Sequence, residues 1–252
     1  MKIITFDIET SPHLSFHWRR WQENIPPANT IEESKMICWA AKEYGQKEVE
    51  FSSYWEDGED YVLERLWEVL DDADVVVGFN SDKFDIKKVM GEFFLRGWEP
   101  PSPFQSVDLF KQVKKNFNFS SNRLKEILKA RGLAPKLEDN ANMQLWMDVV
   151  YNELPTSRRR MKAYNIQDVK STEELYDAML GWISNHPNWG LYADDLDGTP
   201  ICPNCGGTCK EHKVRRTKVR KYMQYKCNDC GKYSRGRKSI GDNHLMNGIL
   251  NG

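Results

Sequence analysis

The 252-residue chain is short of several things, and each shortage narrows what it can be. No apolar run approaches the roughly 20 residues that a membrane-spanning helix needs. The first acid arrives at Asp7, which leaves no room for the apolar region of a signal peptide. Cys38 is the only cysteine before Cys202, so a scattered disulfide framework is not expected. Internal repeats and low-complexity tracts are lacking as well. These absences lead to the expectation of a soluble, cytoplasmic protein without a membrane partner. What is present argues for order: 40% hydrophobic residues and nine Trp are enough for one good core with an appendage.

The net charge of −1 conceals an asymmetry. Thr199 to Lys238 carries 12 Lys or Arg against Glu211 and Asp229, while the rest of the chain has 24 basic and 35 acidic residues. An acidic body repels nucleic acid, and a compact basic module is a common way to recruit it.

Hydrophobic periodicity predicts strands over Met1–Phe6, Met36–Tyr44, Val49–Tyr54, Asp74–Asn80 and Ser106–Leu109. It predicts helices over Tyr61–Leu70, Asp85–Arg96, Arg123–Arg131, Gln144–Tyr151 and Arg158–Ile183. Three strands followed by alternating strand and helix describe an α/β fold, a mixed sheet flanked by helices. Ser11–Glu33, with three prolines, reads as irregular. The expected division is a body over 1–190, a linker over 191–198, a basic module over 199–238 and a tail over 239–252.

Asp7 and Glu9 lie two apart on the first strand, so they share a face while Phe6 and Ile8 pack behind. Two carboxylates so placed repel unless a cation lies between them, and oxygen donors suit Mg²⁺ or Mn²⁺. Phe79-Asn80-Ser81-Asp82-Lys83-Phe84-Asp85 leaves the central apolar strand and enters a helix. Tyr164 and Asp168, four apart, share a face of the last long helix close to its apolar stripe. Each segment has an ordinary alternative: solvated acids at a strand end, a helix-capping Asp85, a solvated Asp168.

The order D-x-E, N-x-x-x-F-D, Y-x-x-x-D resembles the three motifs of the DEDD superfamily of 3′–5′ exonucleases, in its tyrosine-containing branch. Over Met1–Ile183 it is most similar to the proofreading exonuclease domain of family B DNA polymerases. The resemblance implies a ribonuclease H-like fold with a mixed five-stranded sheet. It implies that Asp7, Glu9, Asp85 and Asp168 hold two Mg²⁺ or Mn²⁺ ions and that Tyr164 orients the attacking water. The products would be nucleoside 5′-monophosphates released from a 3′ end, with single-stranded DNA as the expected substrate. The residues left over have no room for a polymerase palm or thumb, so a stand-alone nuclease is expected, suited to a phage or to a replication or repair complex. Two other readings stay open: a catalytically silent nucleic-acid-binding adaptor, and a structure-specific endonuclease on the same scaffold.

Around these motifs, Asn80 either touches substrate, braces the site or simply makes the strand-to-helix turn. Trp18 and Arg19, within Phe16-His17-Trp18-Arg19-Arg20-Trp21, are candidates for substrate binding by stacking, unless the Trp residues pack on the body.

In the basic module Cys202-x-x-Cys205-Gly206 and Cys227-x-x-Cys230-Gly231 form two knuckles separated by 21 residues, a spacing that suits tetrahedral Zn²⁺ in a zinc ribbon. Cys209 and His212 are close enough in sequence to be substitute ligands. Lys213–Lys226 reads as a hairpin whose Arg215, Arg216, Lys218 and Arg220 are candidate nucleic-acid contacts, with a protein-docking ribbon as the alternative.

Overall fold

Strand β1 (Ile3–Thr10) owes its place at the centre of the sheet to its composition. Its β-branched and aromatic residues fit a pleated, half-buried surface, and Ile3, Ile4, Phe6 and Ile8 are buried. The computed structural model describes residues 1–19, 21, 24–133, 141–192, 198–217 and 220–241. Contacts divide the chain into two compact units, Lys2–Leu175 and Tyr176–Gly252, with Met1 grouped with the second.

In the first unit β1 is followed by a short hairpin, β2 (Leu14–Ser15) paired with β3 (Thr30–Glu32), inside the segment expected to be irregular. Strand β4 (Met36–Glu43) lies antiparallel to β1, with Phe6 opposite Ala41 and Glu9 opposite Cys38. Strand β5 (Glu50–Ser53) lies antiparallel to β4. Helices α1 (Tyr54–Asp57) and α2 (Glu59–Asp71) lead to β6 (Val75–Gly78), which runs parallel to β1. Helix α3 (Asp85–Leu95) leads to β7 (Gln105–Asp108), parallel to β6. The sheet order is β5-β4-β1-β6-β7, the mixed five-stranded arrangement expected.

Helix α4 (Leu109–Asn116) was not anticipated. It starts where Asp108 Oδ1 accepts the N–H groups of Phe110 and Lys111, at 3.0 and 3.3 Å, which caps the first turn. Helices α5 (Leu124–Arg131), α6 (Met143–Val150) and α7 (Pro155–Met179) complete the unit, the last residues of α7 belonging to the second. Helix α7 begins at Pro155, three residues before the expected start, because proline is well suited to a first helical turn. Arg158 therefore lies inside the helix, where its guanidinium meets the Tyr54 ring at 5.7 Å and the Val149 carbonyl at 3.4 Å.

The alternation of β1 sorts the two faces of the sheet. Phe6 and Ile8 join Trp39 and Val76 in a core with Leu66 and Leu70 of α2 and Val89 and Phe93 of α3. On the other face Ile37 and Cys38 pack with Leu145 and Val149 of α6 and Met161 of α7. Asp7 and Glu9 point to this second side.

The second unit contains a three-stranded antiparallel sheet of β8 (Cys209–Arg216), β9 (Lys221–Cys227) and β10 (Tyr233–Ser239), with β9 in the middle. The expected hairpin is β8–β9, and β10 is an addition. Asn204, 3% exposed, donates its side-chain amide to the carbonyls of Leu180 and Ile183 at 2.6 and 2.8 Å. That ties the first knuckle to the chain that follows α7.

Candidate active site and zinc ribbon

The acids meet beside β1. One oxygen from each of Asp7, Glu9 and Asp168 lies within 4.8 Å of the other two. Each carboxylate is held by a different neighbour. Asn165 donates its side-chain amide to Asp7 Oδ2 at 2.7 Å, Trp146 Nε1 donates to Glu9 Oε2 at 3.0 Å, and the Tyr164 hydroxyl hydrogen-bonds Asp168. Trp146 also meets Tyr164 edge to face at 5.9 Å. Asp85, the first residue of α3, stands next to this trio rather than within it. Its Oδ1 accepts the Ile8 N–H at 3.2 Å, and its charge is the strongest that acts on Asp7.

The electrostatics of the group are one-sided. Burial, then the charges of Asp85, Glu9 and Asp168, hold the Asp7 carboxyl well above its ordinary range. Burial pushes Glu9 up to about 8, and the Trp146 hydrogen bond offsets part of that rise. Burial likewise lifts Asp85 and Asp168 to about 6 each. The Tyr164 hydroxyl is raised by burial and then by Asp168, so it keeps its proton at neutral pH. A cluster of oxygen donors that forms no ion pair with a basic side chain among the described residues fits a hard divalent cation such as Mg²⁺ or Mn²⁺. Asp7, Glu9 and Asp168, with Asp85 beside them, would hold it.

A cleft of about 580 Å³ opens onto Asp7 and Asp168, and Phe79, Asn80, Phe110, Asn122 and Arg123 are among its walls. Asn80 adopts a left-handed φ of 67° at the end of β6, and its N–H donates to Asp108 Oδ1 at 3.0 Å. It therefore both makes the turn and faces the cleft. Phe110, Asn122 and Arg123 carried no motif; the only sequence signal for Phe110 is the capping Asp108 two residues before it. A larger cavity of about 890 Å³ has none of the clustered acids in its walls, which carry the ion pairs Lys2–Glu43 and Arg65–Glu50 instead.

In the β2–β3 loop Trp18 is 93% exposed and Trp21 is 89% exposed, so neither ring packs on the body. Arg19 is exposed too, and its carbonyl contacts His17 Nδ1 at 2.8 Å.

In the second unit one sulfur from each of Cys202, Cys205, Cys227 and Cys230 lies within 4.8 Å of the other three. The Cys202–Cys230 and Cys205–Cys227 sulfurs are 3.6 and 3.5 Å apart. A tetrahedron with ~2.3 Å zinc–sulfur bonds has edges of about 3.8 Å, so the set fits zinc. Backbone N–H groups of Asn204 and Asp229 point at Cys202 and Cys227 at 3.4 Å. Gly206 and Gly231, both at φ 73°, supply the left-handed turn that each knuckle needs. Burial pushes Cys205 up to about 11, whereas Cys227, against its burial, is drawn down to about 7 by the N–H groups of Cys230 and Asp229. Cys209 points instead to the Gly207 carbonyl, and the His212 ring lies 5.0 Å from that of Tyr233. Arg215, Arg216 and Arg220 are exposed, and Lys218 lies outside the described residues.

The RNase_H superfamily matches residues 31–180, more than half of the chain, and the chain belongs to that superfamily. Among solved structures, the family B DNA polymerase from the hyperthermophilic archaeon Pyrobaculum calidifontis is similar to it. The TM-score is 0.54 at 17% identity, over 71% of this chain and 24% of the polymerase chain. The chain thus spans about a quarter of the polymerase, and at that identity the likeness concerns the fold. No curated protein matches. Membership of that superfamily supports a nuclease.

Proposed function

We propose that the chain is a two-metal-ion 3′–5′ exonuclease that releases nucleoside 5′-monophosphates from single-stranded DNA, with a zinc ribbon that holds the substrate. The observation that carries this reading is the convergence of Asp7, Glu9 and Asp168, with Asp85 alongside and Tyr164 bonded to Asp168. Bound there, divalent cations supply Lewis acidity and a nucleophile at neutral pH. The four carboxylates hold and neutralise that charge. Because the Tyr164 hydroxyl shares its proton with Asp168, its oxygen is left to accept a hydrogen bond from water and so orient it. Asn80 lines the cleft that leads to Asp7, and exposed Trp18 and Arg19 offer stacking and phosphate contact nearby in sequence. Arg215, Arg216, Lys218 and Arg220 supply the ribbon's positive charge. Cys202, Cys205, Cys227 and Cys230 hold structural zinc in this reading.

The test is digestion of 3′- and 5′-labelled single-stranded DNA and RNA, and of circular single-stranded DNA, with and without Mg²⁺ or Mn²⁺. Metal-dependent loss of the 3′ label as mononucleotide, with circles intact, supports the exonuclease. Cut circles would replace it with an endonuclease.

A further inference from the structure

The β8–β9–β10 sheet has two unlike faces. Cross-strand partners share a face, and successive residues alternate. Tyr222 pairs with Arg215 and Gln224 with Lys213 across β8–β9, while Lys226 pairs with Tyr233 and Gln224 with Arg235 across β9–β10. Lys210 pairs with Lys226 as well, so one face gathers Lys210, Lys213, Arg215, Lys226 and Arg235 around two rings, Tyr222 and Tyr233. The side chains bear this out. The Arg235 guanidinium lies 4.4 Å from the centre of the Tyr222 ring, and Lys226 Nζ lies 5.5 Å from that of Tyr233. Glu211, the one acid on these strands, pairs with Tyr225 and falls on the other face. None of the five cations is in an ion pair among the described residues.

The opposite face is built differently. Val214 pairs with Met223 there, and Tyr225 lies so close over Gly236 that an added Cβ would sit 3.3 Å from its ring. Arg216 and Lys221, which pair with each other at the strand ends, are among its cations.

We propose that the Tyr222/Tyr233 face is a platform for one strand of nucleic acid, whose bases stack on the two rings while the flanking cations hold its phosphates. Unneutralised positive charge selects a polyanion. An exposed Tyr233 ring and a half-buried Tyr222 ring, each with a cation beside it, select unpaired bases, since a duplex keeps its base faces stacked inside. Base faces and phosphates are common to DNA and RNA, so the platform takes either strand. This deepens the ribbon's proposed role as substrate holder and rests on it, but it assigns the work to one face and separates Arg215 from Arg216.

The test is fluorescence anisotropy with the full-length zinc-loaded protein in buffer free of Mg²⁺ and Mn²⁺, so that binding is read independently of cleavage. The ligands are labelled dT20, rU20 and a 20-base-pair duplex. Replacing both tyrosines by leucine (Tyr222→Leu with Tyr233→Leu) is expected to weaken dT20 binding at least tenfold, and replacing both by phenylalanine by less than twofold. Arg215→Ala with Arg235→Ala should cost at least tenfold, and Arg216→Ala with Lys221→Ala less than threefold, although both pairs remove two charges. The two single strands should bind within threefold of each other and more tightly than the duplex. A leucine pair that binds as wild type, a phenylalanine pair as weak as the leucine pair, equal losses from the two cation pairs, or tighter duplex binding would overturn the proposal. Zinc content and circular dichroism check folding. Should the leucine pair lose zinc, photocrosslinking of iodouracil-substituted DNA to the wild-type protein decides, with adducts at Tyr222 and Tyr233 expected and adducts confined elsewhere overturning it. Intact binding with no cleavage in any metal would instead remove the exonuclease reading and leave the platform standing.

Discussion

The Asn165 side-chain amide donates to Asp7 Oδ2 at 2.7 Å and also approaches the Asp7 carbonyl at 3.3 Å, joining helix α7 to strand β1 at the centre of the acid cluster. Asn165 is fully buried, and its own Oδ1 has no hydrogen-bond partner among the described residues. A buried carbonyl left unpaired costs about 1–3 kcal/mol. Its retention makes sense if the amide is needed to fix the direction of the Asp7 carboxylate.

Removal of that bond should therefore cost metal affinity more than stability. Asn165→Leu is expected to keep the fold, by circular dichroism, and to lose roughly 10- to 100-fold in Mn²⁺ affinity or cleavage rate, the usual effect of losing a partner behind a metal ligand. Titration of Mn²⁺ by electron paramagnetic resonance reads the first quantity directly. Unchanged affinity together with an unchanged rate would show that Asn165 serves packing alone.

The ligands and the tyrosine should part company. Asp7→Ala and Asp168→Ala are expected to abolish cleavage in single-turnover digests. Tyr164→Phe should slow it about 10- to 100-fold, as for a residue that orients rather than binds. All three should fold, because Asp7 and Asp168 carry repulsion and Tyr164→Phe keeps the packed ring. Full activity in Asp7→Ala would sink the assignment.

The acids were legible in the sequence because each pair sits on one regular element, Asp7 and Glu9 two apart on a strand, Tyr164 and Asp168 four apart on a helix. The central β6 strand was legible too, as an unbroken Val75-Val76-Val77 run. Two of the groups that hold the acids were not. Trp146 is 137 residues from Glu9 and Asn165 is 158 from Asp7, and no local period links them. Helix α4 was hidden because Asp108 reads better as a plain turn residue within the Ser106–Leu109 strand, and only the cap shows its purpose. Strand β10 was hidden because Tyr233, Arg235 and Arg237 alternate with Ser234 and Gly236, leaving no apolar face to signal a strand.

The same acids give stability a pH dependence of known sign. In the unfolded chain Asp and Glu titrate near pH 4. In the folded, metal-free protein Asp7 lies well above that, Glu9 at about 8, and Asp85 and Asp168 at about 6. Between about pH 4 and 8 the folded state thus holds more protons than the unfolded one, so these groups make stability fall as pH rises, and the loss is complete above the folded values. Asp7→Asn removes part of that loss. Its melting temperature is expected to rise relative to wild type as pH goes from 4 to 8 in metal-free buffer. Added Mn²⁺ should raise the wild-type value more at pH 8 than at pH 5. A difference between the two proteins that does not change with pH would contradict the raised values.

The zinc ribbon should respond to chelation separately from the first unit. Among its described residues from 198 to 241, little is buried apart from Cys202, Asn204 and Cys227, whereas Lys2–Leu175 has a continuous core on both faces of its sheet. A sheet of that size depends on its metal for folding. A strong zinc chelator is therefore expected to expose the ribbon to limited proteolysis, beginning in the basic strands, while a fragment containing the first unit persists and retains its tryptophan emission. Cys202→Ser or Cys227→Ser should reproduce that pattern without chelator. Binding of single strands should fall in parallel and, before chelation, should drop steeply between low and moderate salt, since several phosphates are neutralised at once. Protection of β8–β10 that survives removal of zinc would mean that the knuckles fold without metal.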